Sequence, residues 1–241
     1  MRSIFFPATL LALLSLFGCN SSKPDYGIER PLSLPGHVRQ TWAVAPVINL
    51  SGQKQVDPIL QGDLLCEKLG EVAGITPLPV NRIVEVFAAL RLEQVQSEEQ
   101  AALVCDLLGC DALLVAAVKT YDPFDPPKMG AALTLFRKGE YRRPADVDPY
   151  VLARRATPLP GQPSTTRAGF VQVDGMFDAS NGSIQADVMR YAQGRTDPDW
   201  PYKERTYLIE MDRYSGFVYH SLIAQLLAKP ALVHGDRSNL P

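Results

Sequence analysis

Residues 97–118, SEEQAALVCDLLGCDALLVAAV, decide the fold. Ser97 followed three positions later by Gln100 matches a capping box, in which a serine oxygen and a later polar side chain satisfy the free N–H groups of a helix start. The helix it opens runs through Leu108 and ends at Gly109. Ala112 to Val118 then holds no polar residue. A strand with one wet face alternates polar and apolar, so an unbroken apolar strand is buried on both faces and needs cover above and below.

The same logic extends outward. Upstream, Trp42 to Ile48 is a second all-apolar run, closed by the turn residues Asn49-Leu50-Ser51-Gly52. Asp57-Pro58 reads as an N-cap with proline at the first helical position. Ile59, Leu60, Leu64, Leu65, Leu69 and Val72 continue the helix at helical spacing to a stop at Gly74. Ile75 to Val80 is a short strand that Pro77 and Pro79 confine to an edge. Asn81 is expected to cap a helix over 82–92, with Ile83, Phe87 and Leu90 inward.

Downstream, Tyr121 to Pro127 makes a tight reversal, and Met129 to Phe136 returns as a strand. Arg137 to Ala168 carries five prolines, seven Lys/Arg and three acids with no apolar period, and reads as a surface insertion. Phe170 to Ala179 is a strand with Val171, Val173 and Gly175 on one face, followed by a turn at 180–183. Ile184 to Ala192 fits a helix through Ile184, Val188, Tyr191 and Ala192, and a hairpin strand through Ile184, Ala186 and Val188; the helix is preferred. Tyr207 to Ile209 is a short apolar patch. Asp212 to Ala228 is the last helix, with Tyr214, Phe217, Val218, Leu222 and Leu226 apolar. Strands alternating with helices predict an α/β class, a mixed sheet flanked by helices with a long irregular insertion.

The 241 residues and formal charge of -2 suit one domain with a tail, and the near-neutral balance gives no reason to expect a nucleic-acid partner. Ile4 to Phe17 is an apolar run of 14 residues behind a single positive side chain, Arg2. A bilayer span needs about 20, so the run reads as a signal-peptide core. Leu16-Phe17-Gly18-Cys19 resembles a bacterial lipobox, which implies that Cys19 becomes a diacylglyceryl-modified mature N-terminus. An ordinary cleaved signal and an uncleaved anchor are the alternatives. Asn20, in place of the Asp that commonly retains such proteins at the inner membrane, favours the outer membrane facing the periplasm, with the inner membrane left open. The expected organisation is a signal peptide over 1–18, a lipid-anchored tether over 19–40, one α/β domain over 41–228 interrupted by the 137–168 insertion, and a C-terminal tail over 229–241. With Cys19 assigned, Cys66, Cys105 and Cys110 remain. An odd count is no disulfide framework, and small buried hydrophobes are the expected role.

Catalytic chemistry is sparse. His37, His220 and His234 are far apart, without a carboxylate or cysteine at metal-ligand spacing, so no metal and no cofactor is expected. Asp122 and Asp125 flank Phe124 like paired carboxylates, yet each precedes a proline, where Asp favours turns. The pairs Arg142-Arg143 and Arg154-Arg155 are candidate contacts to a partner or an anion, such as anionic lipid or the carboxylates of peptidoglycan; a solvated loop face is the alternative.

Thr41 to Phe136 resembles the periplasmic domain shared by the curli-secretion lipoprotein and the penicillin-binding-protein activator lipoprotein (a CsgG/LpoB-like family). The residues that carry the likeness are Val44-Ala45-Pro46-Val47-Ile48-Asn49-Leu50-Ser51-Gly52 with the helix opened by Asp57, and Leu107 to Ala116 running into a central strand. Phe177 to Ile184 is similar to that family's late hairpin. Secretion members insert strands of about 9–11 residues into the outer membrane, which the prolines and arginine pairs of 137–168 forbid. Activator members use a long tether, from which this chain departs: residues 20–40 reach about 70 Å fully extended, at ~3.3 Å per residue, and about 25 Å as a flexible coil. The resemblance implies a non-enzymatic, lipid-anchored periplasmic adaptor or regulator of an envelope-assembly or cell-wall-synthesis partner. A subunit of an oligomeric export complex, a homo-oligomer, is the second expectation. An envelope hydrolase using Asp122 or Asp125 is the third.

Overall fold

The computed structural model of the protein describes residues 31–36, 38–138, 170–197 and 199–233. β1 (Gln40–Val44) and β2 (Ile48–Asn49) are two parts of one line of chain beside β4 (Ala112–Asp122). Trp42 pairs with Ala112 and Ile48 with Ala117, so β1–β2 carries one residue more than its partner over that stretch. The surplus is absorbed at Ala45–Val47, where Pro46 has no N–H to give and Val47 turns its own to the carbonyl of Pro58.

β3 (Ile75–Leu78) lies parallel to β1 on the other side, and β5 (Lys128–Arg137) and β6 (Phe170–Asp178) follow β4 as antiparallel neighbours. The order is β3-β1-β4-β5-β6 with β2 on β4, a mixed sheet as expected. Parallel strands need crossovers. α1 (Pro58–Gly70) carries the chain from β2 to β3 over one face; α2 (Val80–Leu90) and α3 (Glu98–Leu108) carry it from β3 to β4 over the other. After β6 come α4 (Gly182–Ala192), a short 3-10 turn, α5 (Thr206–Ile209), α6 (Met211–Leu227) and α7 (Pro230–Val233).

Two cores result. Trp42, Val44, Leu114, Leu133, Val173 and Phe177 face α1, α4 and α6; Ala43, Ala45, Leu113 and Phe136 face α2 and α3. The sequence caps act as read: Asp57 Oδ1 accepts the N–H groups of Ile59 and Leu60 at 2.8 and 3.1 Å, and Ser97 Oγ accepts that of Gln100 at 3.2 Å. α6 is the late helix, and the ambiguous segment after β6 is helical, capped by Asn181.

Several expectations need correction. α2 starts two residues earlier than read, behind Pro79, so Asn81 lies inside it. Proline's fixed φ sets the extended entry there without a side-chain cap. Ile59 and Leu60, in the first turn of α1, are exposed, whereas Leu65 and Leu69 further along it are buried; α1 also ends at Gly70 rather than Gly74. Phe177 to Ile184 is no hairpin: β6 ends at Asp178 and a helix follows. Arg137 belongs to β5. The folded body also begins before Thr41. Leu34 is buried, its N–H donates to Ala73 O, and Leu32 O accepts from Ala73 N–H. At the other end Leu232 of α7 packs into the larger core. The signal segment, Cys19 and the 139–169 stretch with Arg142, Arg143, Arg154 and Arg155 lie outside the described residues. No helix among the described residues is long and apolar enough to cross a membrane.

Candidate functional site

The two edges of the sheet differ. β3 is four residues long, contains Pro77 and is followed by Pro79, which blunts it against further pairing. β6 is nine residues long and contains no proline. Its free side can be derived from register. Ala179 N–H donates to Pro127 O at 3.0 Å, one step beyond the Lys128–Asp178 pair. Hydrogen-bonded pairs in an antiparallel ladder recur every second residue, so Phe177, Gly175, Val173 and Val171 exchange bonds with β5. Phe170, Gln172, Asp174 and Met176 therefore aim their backbone N–H and C=O groups away from the sheet. Among the described residues no hydrogen bond meets that strip.

The face beside this edge belongs to neither helix-covered core among the described residues, although Gly130 and Ala132 on it are buried by their neighbours. α2 and α3 cover β1, the start of β4 and the end of β5, around Phe136. Beyond them the sheet surface is made of Ala117, Lys119 and Thr120 on β4, Gly130, Ala132 and Thr134 on β5, and Gln172, Asp174 and Met176 on β6. The small residues of β5 form a shallow floor. Lys119, the extra residue of a bulge in β4, reaches across it to Asp174 with Nζ–Oδ2 at 3.7 Å. Met176 lies over Gly130, where an added Cβ would stand 3.0 Å from its sulfur. Gly130 thus leaves the space that a soft, adaptable side chain fills.

The β4–β5 reversal closes the same end of the sheet. Asp122 Oδ1 accepts the N–H of Phe124 at 3.2 Å, and the bond from Asp125 to Pro126 is cis. The Phe124 ring is 77% exposed at the tip. Leu50, whose N–H donates to Val118 O, is exposed at this end too, as are Ile59 and Leu60 at the start of α1. Exposed Phe, Met and Leu side chains gathered at one end, next to an unpaired strand, suit a protein contact.

Asp122 and His220 have structural settings. Asp122 is occupied by its turn. His220 is buried on α6, its ring 4.8 Å from that of Tyr191. His37 and His234 lie outside the described residues. No group of three or more His, Cys, Asp or Glu able to hold a metal occurs among the described residues.

The densest charge cluster ties α1 to the end of α4. Glu71 accepts from Lys68 and from Arg195, both at 2.7 Å, and the Arg195 guanidinium lies 4.3 Å from the Tyr191 ring centre. Burial pushes the Glu71 carboxyl up, and the bonds from Lys68 and Arg195 outweigh it, holding it below the usual carboxylate range. Burial raises the Tyr191 hydroxyl to about 12. A depressed carboxyl adds stability that is complete above its unfolded value and disappears as pH falls through the folded one. Wild type should therefore exceed Glu71→Gln in stability at neutral pH, by about 1 kcal/mol for a part-exposed pair. Acid titration of both proteins should show the gap closing below about pH 4.

The sequence reading passed over β6 as a contact surface, although a signal was present. Val171, Val173 and Phe177 alternate with Gln172, Asp174 and Met176, the pattern of a strand covered on one side only. β4 has no such alternation between Ala112 and Val118.

No family model and no curated protein matches the sequence. Similar solved structures include the PelC dodecamer from Paraburkholderia phytofirmans, at 12% identity over 82% of this chain and 92% of that one, TM-score 0.33. Lipoprotein GNA1162 from Neisseria meningitidis is similar at 16% identity over 59% and 84%, TM-score 0.34. The LpoB C-terminal domain from Salmonella enterica, from the group the sequence resembles, is similar at 10% identity over 59% and 86%, TM-score 0.37. With TM-scores this low, neither the topology above nor the function below rests on these likenesses.

Proposed function

We propose that this chain is a lipid-anchored binding protein of the bacterial envelope that docks an envelope-assembly or cell-wall-synthesis protein along β6 and catalyses no reaction itself. The observation that carries the docking reading is the nine-residue strand with one unpaired side, beside a half-face outside both helix-covered cores and opposite a proline-blunted edge. Pairing of a partner strand supplies main-chain hydrogen bonds, and Met176 and Phe124 supply apolar anchors. The lipobox-like Leu16-Phe17-Gly18-Cys19 supports the anchor: a diacylglyceryl Cys19 holds the protein stably to a bilayer, because two acyl chains suffice. Asn20 favours the periplasmic face of the outer membrane. Arg142, Arg143, Arg154 and Arg155 provide a second contact, to peptidoglycan carboxylates or anionic lipid.

The second reading, a subunit of an oligomeric export complex, is favoured by the same free edge, which a further copy of the chain can also occupy. Native mass spectrometry of the full-length protein in mild detergent separates the two. A monomer or dimer with an acyl-modified Cys19 agrees with the adaptor; a closed assembly of many copies transfers the edge to the export complex. Cys19→Ser should move the protein from the membrane to the soluble fraction. Retention in the membrane sinks the anchor.

A further inference from the structure

Cys105, in the last turn of α3, and Cys110, just past its end, are both buried. The corner between them is closely specified. Gly109 takes φ +65° to end the helix, a conformation that glycine adopts without a Cβ penalty. Cys110 then donates its N–H to the carbonyl of Cys105 at 3.1 Å. That bond folds the chain back and brings the two cysteines, both free thiols here, into the same buried cluster. Their interaction raises the Cys105 thiol and lowers that of Cys110. Lys138, paired with Asp106 at 2.8 Å, adds positive charge near both sulfurs. Cys66 is on α1, across the sheet, where its sulfur lies 3.6 Å from Leu78 O.

We propose that Cys105 and Cys110 are joined by a disulfide in the mature protein, a staple from the end of α3 to the start of β4. The odd cysteine count is then one pair and one free thiol. The oxidant rests on the envelope reading above: disulfides form where thiols meet a dithiol oxidase outside the reducing cytoplasm. One cysteine thiolate attacks the oxidase disulfide, giving a mixed disulfide and releasing one oxidase thiol. The second cysteine thiolate displaces the other oxidase sulfur. Two protein thiols and one oxidase disulfide thus become one protein disulfide and two oxidase thiols, and the two electrons pass to the oxidase. Because both sulfurs are buried in the folded chain, the bond forms before α3 settles on the sheet. A six-residue loop gives a modest constraint on the unfolded chain, worth a melting-point rise of about 4–8 °C.

The test uses the full chain expressed with its own N-terminus in a Gram-negative host, with the cells fractionated and the chain denatured and alkylated with a maleimide before and after reduction. The expected result is two fewer adducts before reduction than after, in the envelope fraction. Equal adduct counts in envelope-located protein overturn the disulfide and leave the envelope reading intact. A cytoplasmic location contradicts the envelope reading, and refolding the reduced chain in mixed oxidised and reduced glutathione then decides the bond: two protected thiols sustain it, none overturns it. Reductant should lower the wild-type melting point and leave that of Cys105→Ser unchanged. A wild-type melting point indifferent to reductant overturns the staple.

Discussion

Val173→Pro should unfold the domain, whereas the same change one residue earlier, Gln172→Pro, should leave it folded. The two positions differ in where the backbone N–H points. Val173 shares a hydrogen-bonded pair with Leu133, by the every-second-residue rule that starts from Ala179 and Pro127. Proline there removes a ladder bond, forces its ring toward β5 and deletes a side chain buried in the larger core, a loss of about 3 kcal/mol or more. Gln172 is exposed and its N–H faces outward, so proline costs the ladder nothing and the change should stay within about 1 kcal/mol. Urea unfolding of the two variants measures this directly. Equal losses would mean that the free side of β6 has been assigned wrongly.

Trp42→Ala should be the most damaging single truncation. Trp42 has no exposed surface, stands on β1 under α1 and α6, and donates its indole N–H to Gln40 Oε1 at 2.9 Å. Removing a buried aromatic side chain costs about 3–5 kcal/mol through lost burial and the cavity left behind. For a domain whose total stability is about 5–15 kcal/mol that is a large share. The chain's other tryptophan, Trp200, is about half exposed, and Trp200→Ala should stay within about 0.5 kcal/mol. A loss below 1 kcal/mol on removing Trp42 would contradict the core described here.

The residues that made the fold legible are those whose local chemistry and burial agree. Asp57-Pro58, Ser97 with Gln100, and Gly109 mark helix ends wherever they stand, because capping depends on a few neighbouring backbone groups. The unbroken apolar runs at 42–48 and 112–118 announce two-sided burial by themselves. What stayed hidden depends on distant parts of the chain. Nothing in Ile59 and Leu60 tells that the first turn of α1 meets solvent while its later turns meet the core. Likewise Leu34 stands in a short proline- and glycine-bearing stretch with no apolar period, and its burial comes with the contact to Ala73.

The candidate site divides in the same way. The lipobox-like Leu16-Phe17-Gly18-Cys19 is a local pattern, so the proposed anchor needs only neighbouring residues. The β6 strip required both the pairing register and the knowledge that β6 is an edge, and neither is local. The approach of Cys105 to Cys110 required the backbone bond across Gly109, which sequence spacing alone does not specify.

The most direct test of the account is crosslinking in living cells with a photoreactive residue placed at Gln172 or Met176 on β6, and at Val84 on α2 or Ile209 on α5 as exposed controls. The account predicts discrete adducts to a second protein from the β6 positions and none of the same size from the controls. Adducts of the same size from all four positions, or from the controls alone, would contradict it.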